Sequence, residues 1–275
     1  MEIQAVRKAV IAGSWYPGQP DALRKDIEKY FNSVADFPLN GEIKGIVAPH
    51  AGYMYSGQVA AHAYKLVSSK EYDTVIIVGP SHRVAFPGVS VYPSGGYETP
   101  LGIVPVDEQF CHKIMSLNDS IRDVPAAHLQ EHSIEIQLPF LQFALGDFSF
   151  VPLVMGEQNE TICRELAEAI KQAARGKKIL IVGSSDLSHF HDYRKAARLD
   201  NHAVKYLEKA DANGLLRSLN DNSVEACGGG PMATAIMVAQ KMGATKSHVL
   251  KYADSGDVSG DKSSVVGYAA AVYYL

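Results

Sequence analysis

The sequence alternates regularly between short apolar, β-branched runs and longer amphipathic stretches, and this alternation most constrains its fold. The apolar runs predict strands at residues 43–48, 74–78, 89–92, 148–154, 178–182, 249–252 and 265–273. The amphipathic stretches predict helices at residues 21–32, 57–67, 107–117, 132–145, 160–174, 195–210 and 231–241. Strands separated by helices indicate an α/β fold with a mostly parallel central sheet and helices on both faces.

The chain of 275 residues is interpreted as one domain, 1–275, because no internal repeat and no linker rich in Pro, Gly or Ser divides it. Its hydrophobic fraction of 47% is enough to bury a sizeable core. The net charge of −4 argues against a nucleic-acid partner, since nucleic-acid binders carry a basic stripe. The apolar, uncharged stretch 263–275 is too short for a membrane span, so we expect no membrane partner.

The three cysteines of the chain are odd in number and widely spaced. Free thiols of this kind are typical of a reducing compartment, whereas a secreted domain would show a disulfide framework. The apolar stretch 9–12 is too short for the core of a secretory signal. These observations predict a cytoplasmic protein.

Two predicted strands end in the same way, with a proline followed by a histidine. The first strand ends at Pro49-His50, and the second ends at Pro80-Ser81-His82. Ligand sites of parallel α/β sheets lie beyond the carboxyl ends of the strands. Two stiff turns on neighbouring strands would bring both imidazoles to one cleft. His50 and His82 are therefore candidate metal ligands, and the alternative is that both histidines only cap loops.

Cys227 stands apart from the other two cysteines. Cys111 and Cys163 lie inside predicted amphipathic helices, where a free cysteine is usually a small buried hydrophobe. Cys227 instead precedes three glycines and the start of a predicted helix. The dipole of that helix would favour the thiolate form, which binds metals and reacts. Cys227 is thus either a functional thiol or a third buried cysteine.

A later strand end carries Asp186 and His189. The two residues form either an acid–base pair or a turn aspartate beside an unrelated histidine. The neighbouring serines, Ser184 and Ser185, do not indicate a serine hydrolase, because the G-x-S-x-G elbow is absent.

His132 and Glu135 are three residues apart at a predicted helix start, so that they would share one face of the helix. One hypothesis is that they orient a metal-bound histidine. The alternative is that this turn simply places acids at the positive end of the helix dipole.

Seven short segments spread along nearly the whole chain form a recognisable series. They are residues 12–17 (AGSWYP), 48–53 (APHAGY), 79–82 (GPSH), 131–135 (EHSIE), 184–189 (SSDLSH), Cys227-Gly228 and 263–270 (SSVVGYAA). In this order they resemble the Memo family, also known as component B of the AmmeMemoRadiSam set. The family is similar in fold to the class III extradiol ring-opening dioxygenases.

The resemblance implies that His50, His82 and Cys227 hold a metal ion, with Asp186 and His189 beside it as acid–base residues. The related dioxygenases bind iron(II) through two histidines and a carboxylate. A cysteine in place of the carboxylate softens the site, so the ion is expected to be iron or copper, with zinc a further choice.

Two functions follow from the resemblance. The first is a redox metalloenzyme, a dioxygenase-like oxidoreductase that acts on a small molecule in the metal cleft. The second is a non-catalytic protein that binds metal or presents the same cleft to a peptide or protein. The name of the set also implies a link to a radical SAM protein.

Overall fold

The computed structural model describes residues 6–275. Its strands are β1 (Val6–Arg7), β2 (Ile43–Ala48), β3 (Thr74–Pro80), β4 (Val89–Val91), β5 (Gly96–Thr99), β6 (Gly102–Pro105), β7 (Ile121–Arg122), β8 (Phe150–Met155), β9 (Ile179–Ser184), β10 (His189–His191), β11 (Lys246–Asp254) and β12 (Val265–Tyr274). Its helices are α1 (Pro20–Asn32), α2 (Tyr53–Val67), α3 (Glu108–Leu117), α4 (Pro125–Leu129), α5 (Leu138–Leu145), α6 (Glu160–Ala173), α7 (Tyr193–Glu208), α8 (Ala212–Asn220), α9 (Gly229–Lys241) and α10 (Gly256–Ser259).

The central sheet has nine strands in the order β10-β12-β2-β9-β3-β8-β4-β7, and β11 pairs with β12. The predicted α/β class is confirmed. Four strands in the middle of the sheet, β2, β9, β3 and β8, run parallel to one another. The flanking pairs of β12 with β2 and of β4 with β8 are antiparallel, so the sheet as a whole is mixed. Apolar periodicity does not encode strand direction, so the expectation of a mostly parallel sheet holds for the four central strands and not for the antiparallel pairs that flank them.

The central strands are covered on both faces. Every residue of β3 is buried, and so are all but one of β2. Successive side chains of a strand point to opposite faces, so burial of consecutive residues requires packing on both sides of the sheet. Helix α9 contacts β2, β3 and β9, and α2 contacts β2 and β12.

Two glycines allow close approaches that shape one end of this sheet. A Cβ at Gly183 would lie 2.9 Å from the Ala235 side chain, so the bare backbone lets α9 lie close to β9. A Cβ at Gly79 would overlap the hydroxyl of Ser133. Gly79 thereby lets the segment 130–134 cross the carboxyl end of β3.

The helix predicted to begin at residue 132 begins later. A 3₁₀ turn spans Glu135–Gln137, and α5 starts at Leu138 with a proline in its first turn, where the missing N–H has no effect. The segment 130–134 is therefore a loop, and its side chains are free to face the end of the sheet. Among the helices of residues 6–275, none is long and apolar enough to cross a membrane.

Candidate metal centre

Three adjacent parallel strands supply the candidate site. β2, β9 and β3 are neighbours in the sheet, and the chain leaves their carboxyl ends toward His50, Asp186 and His82, respectively. The carboxyl ends of parallel strands meet at one edge of a sheet. The strand-end rule therefore places these three residues on the same side of the molecule.

Three histidines form a compact cluster there. His50, His82 and His132 each offer a ring nitrogen, and these nitrogens all lie within 4.8 Å of one another. The ring centroids of His50 and His82 are 5.1 Å apart, and those of His82 and His132 are 4.4 Å apart. Burial, followed by the charge of neighbouring rings, lowers the pKa of His50 and of His132 to about 3. Both rings are neutral at pH 7 and keep a lone pair for a ligand.

Cys227 contacts this cluster at His50, while the group of donor atoms within 4.8 Å of one another comprises His132 and not Cys227. Its Sγ lies 3.0 Å from Nε2 of His50 and accepts a hydrogen bond of 3.3 Å from the backbone N–H of Asp186. Burial and the Asp186 carboxylate raise the pKa of the Cys227 thiol, which outweighs the effect expected from the nearby helix start. A set of imidazole nitrogens and one thiol suits iron, copper or zinc, whereas magnesium and calcium prefer oxygen ligands. The donor set therefore fits the implied metal.

Glu131 is a site residue that the sequence interpretation missed. Its carboxylate accepts hydrogen bonds from Nδ1 and from the backbone N–H of His82, at 2.9 and 2.6 Å. The backbone N–H groups of His132 and Ser133 also donate to it, each at 2.9 Å. Burial alone would raise the pKa of Glu131, but the bonds to His82 and the charge of that ring lower it to about 2. Glu131 and Glu135 both lie in the 131–135 segment, and nothing in the sequence distinguishes the one that contacts the site.

Glu135 lies elsewhere. Its carboxylate pairs with Arg7 at 2.6 Å and accepts hydrogen bonds from Tyr16 Oη at 2.7 Å and from the backbone N–H groups of Val10 and Ile11. Because the segment before it is a loop, His132 and Glu135 do not act from one helix face as expected. His132 joins the cluster itself, and Glu135 anchors the N-terminal segment.

Asp186 and His189 both line the pocket in front of the cluster. Oδ1 of Asp186 accepts hydrogen bonds from the backbone N–H groups of His50 (2.8 Å) and Ala51 (3.3 Å). Burial raises the pKa of Asp186 to about 6, although these hydrogen bonds oppose the shift. Nδ1 of His189 lies 2.7 Å from the carbonyl oxygen of Leu187, which can only accept. The proton of a neutral His189 ring is therefore on Nδ1, and Nε2 is a free base.

The pocket has a volume of about 700 Å³, and one part of its lining, the aromatic wall, is formed by Trp15, Tyr55, Phe190 and Tyr268. Trp15, the single tryptophan of the chain, packs on His132 with ring centroids 4.4 Å apart. Phe190 is 75% exposed and has a φ of 61°, a strained conformation for a bulky residue. Apart from the segments that contain Trp15 and Tyr268, no sequence signal singled out these aromatic residues.

The fold and the site define an α/β protein with a cluster of histidines and a thiol at the ends of its parallel strands. The family model described as Memo-like protein matches residues 7–272. A MEMO1 family protein from Sulfolobus acidocaldarius is 44% identical, over 96% of this chain and 97% of its own length. Similar proteins from Desulfurococcus amylolyticus (40%) and a Thermotoga strain (38%) each align over 98% of this chain and 99% of their own length. The chain belongs to the Memo family.

Proposed function

We propose that this protein binds a redox-active metal ion, iron or copper, through His50, His82 and Cys227, and that it is a dioxygenase-like oxidoreductase acting on a small molecule in the adjoining pocket. The main support for the proposal is that ring nitrogens of His50 and His82 lie within 4.8 Å of each other and that the Cys227 sulfur contacts His50. When bound, the metal would supply Lewis-acid or redox chemistry at the inner end of the pocket.

The remaining polar residues of the pocket suit proton transfer. His189 presents a bare Nε2, which can accept a proton from a hydroxyl or amine group of a bound ligand. Asp186, with its pKa of about 6, can hold a proton or release it near neutral pH. The aromatic wall, including Trp15, would hold an apolar body and exclude water from one side of it.

A second function rests on His132. The donor atoms of His50, His82 and His132 lie within 4.8 Å of one another, and Cys227 contacts His50, so the alternative is a metal held by all three rings with the thiol as a fourth ligand. Closed four-ligand sites are structural or storage sites, whereas catalytic sites keep an open position. In that case the protein stores metal or presents the cleft to a peptide without chemistry.

Metal analysis of anaerobically purified protein tests the first proposal. We expect close to one equivalent of iron or copper, lost in a His50→Gln/His82→Gln variant and retained in a His112→Gln control. Oxygen consumption with small phenols and thiols then tests the activity. Absence of any transition metal under these conditions would contradict metal binding. Metal retained by the protein, with no spectroscopic response to small exogenous ligands, would favour the closed storage site.

We propose that residues 1–275 form one domain, because β12 near the end of the chain pairs with β2 near its beginning. A reducing cytoplasm would keep Cys227 available as a ligand, and a radical SAM protein is the proposed partner. Anaerobic co-purification with such a protein is the experiment for that link.

A further inference from the structure

The two ring nitrogens of His50 face different surroundings. Nε2 lies 3.0 Å from the Cys227 sulfur, on the side of the histidine cluster. Nδ1 points into the protein, 2.9 Å from Oγ of Ser184, a fully buried residue at the end of β9. Only one of the two nitrogens of a neutral imidazole carries a proton, so the partners of both nitrogens determine which one has the lone pair. The Cys227 thiol can either donate to Nε2 or accept from it, with the Asp186 carbonyl oxygen as a second acceptor at 3.6 Å, so the tautomer is determined by a partner of Nδ1 whose role is fixed.

The orientation of the buried Gln137 amide is fixed by a carbonyl group. Its Nε2 lies 3.0 Å from the carbonyl oxygen of Pro49, which can only accept a hydrogen bond. The amide nitrogen must therefore face Pro49, and its second hydrogen is donated to Oγ of Ser184 at 2.8 Å. On the other side, Oε1 of Gln137 accepts from the Tyr64 hydroxyl at 2.7 Å.

The Ser184 hydroxyl is fixed in the same way. Its Oγ lies 2.6 Å from the carbonyl oxygen of Ser133, again a group that only accepts, so the single hydroxyl hydrogen is donated there. One lone pair of Oγ receives the hydrogen bond from Gln137. The other lone pair faces His50, and a hydroxyl oxygen with no remaining hydrogen can only accept from Nδ1.

We propose that Ser184, oriented by Gln137, is a positioning residue that fixes His50 as the Nδ1–H tautomer and keeps the Nε2 lone pair directed at the metal site. His82 has the corresponding arrangement, because the Glu131 carboxylate accepts from its Nδ1. An acceptor on the far nitrogen both orients a metal-binding histidine and increases its basicity. Only the metal-affinity consequence rests on the proposed function, since the tautomer exists in the metal-free protein.

The tautomer can be measured directly in metal-free, ¹⁵N-histidine-labelled protein by long-range ¹H–¹⁵N correlation spectra, with His50→Gln used to assign the His50 signals. We expect Nδ1 to be the protonated nitrogen in the wild type. In Ser184→Ala the Nε2–H tautomer should become detectable. Tyr64→Phe is the matched control, because it removes a buried hydrogen bond from the same network. It leaves the hydrogen bonds to the carbonyl groups of Pro49 and Ser133 in place, so the tautomer should stay unchanged.

Zinc affinity, measured by competition with a chromophoric chelator, is the second measurement. We expect Ser184→Ala to weaken zinc binding about 10–100-fold and Tyr64→Phe to leave it within about twofold. A wild-type protein with the proton on Nε2 of His50 would overturn the proposal, even if Ser184→Ala failed to fold. An unchanged tautomer and affinity in folded Ser184→Ala would overturn it as well. A confirmed tautomer in a protein that binds no zinc, iron or copper would instead contradict the proposed function and leave this assignment intact.

Discussion

Glu131 holds His82 by two hydrogen bonds, one from the ring Nδ1 at 2.9 Å and one from the backbone N–H of the same residue at 2.6 Å. The carboxylate is almost fully buried, whereas the imidazole is partly open to the pocket. A histidine held at both its ring and its backbone cannot rotate away from the cluster. The carboxylate only accepts hydrogen bonds, so it also keeps the ring proton on Nδ1. The carboxylate therefore presents Nε2 of His82 to the site.

The first prediction is that Glu131→Gln weakens metal binding. In the wild type, both carboxylate oxygens accept hydrogen bonds from backbone N–H groups. The amide nitrogen of the variant would face one of these N–H groups, and two donors repel each other, so the His82 ring would lose its fixed orientation. We expect about a 10–100-fold loss of zinc affinity in calorimetric titrations of metal-free protein. An affinity equal to that of the wild type would show that Glu131 does not orient a ligand.

The second prediction is that Glu135→Gln lowers the stability of the protein but leaves its zinc affinity unchanged. This change leaves the buried guanidinium of Arg7 without its carboxylate at 2.6 Å. Breaking a buried ion pair costs about 3–5 kcal/mol, so urea unfolding should show a large loss of stability while zinc affinity stays unchanged. A loss of metal affinity comparable to that of Glu131→Gln would contradict this division of roles.

The third prediction separates the three cysteines. Cys227→Ser should lower affinity for a soft ion such as copper(I) by at least about tenfold, since thiolate is the ligand such ions prefer. Cys111 and Cys163 are fully buried, so their serine variants should lower the unfolding temperature and leave copper affinity unchanged. Equal copper affinities for all four proteins would remove Cys227 from the ligand set.

The fourth prediction uses Trp15 as a reporter. It is the single tryptophan of the chain, and its ring packs on His132 in the pocket. Copper(II) at the cluster should therefore quench the intrinsic tryptophan fluorescence and reach saturation near one equivalent. The His50→Gln/His82→Gln variant, titrated in parallel, should lack this saturable phase. Quenching of the same depth and midpoint in that variant would place the copper outside the cluster.

The fifth prediction concerns acid stability. Burial, followed by the charge of Arg7, lowers the pKa of His128 from 6.5 to about 3. Between these values the unfolded chain binds a proton that the folded state excludes, so the free energy of unfolding falls as the pH is lowered from 6.5. His128 contributes up to about 1.4 kcal/mol per pH unit. His128→Gln should unfold with a shallower pH dependence over this range, measured by urea titrations, and an unchanged slope would exclude the contribution.

The sequence predicted the α/β class and placed His50, His82, Asp186 and His189 at strand ends. It could do so because strand ends obey a general rule of parallel sheets, which needs only the location of each strand. The role of His132 was harder to predict. It depends on a loop that the helical pattern concealed, and on the missing Cβ of Gly79, which lets that loop approach β3.

The hydrogen-bond partners of the site were beyond the reach of sequence patterns. Gln137 and Ser184 are 47 residues apart along the chain, and Arg7 and Glu135 are 128 apart. The sequence does not show which amides and carboxylates are buried. Only the packed structure distinguishes Glu131, which holds His82, from Glu135, which anchors the N-terminal segment.

The position of β12 has a consequence for biosynthesis. This strand is formed by residues Val265–Tyr274, yet it lies inside the sheet, paired with β2 on one side and with β11 on the other. During translation, β2 is made long before β12, and one of its hydrogen-bonding edges stays unpaired until β12 has been synthesised. The exposed edge of β2 is therefore the segment that a chaperone would have to protect until β12 pairs with it.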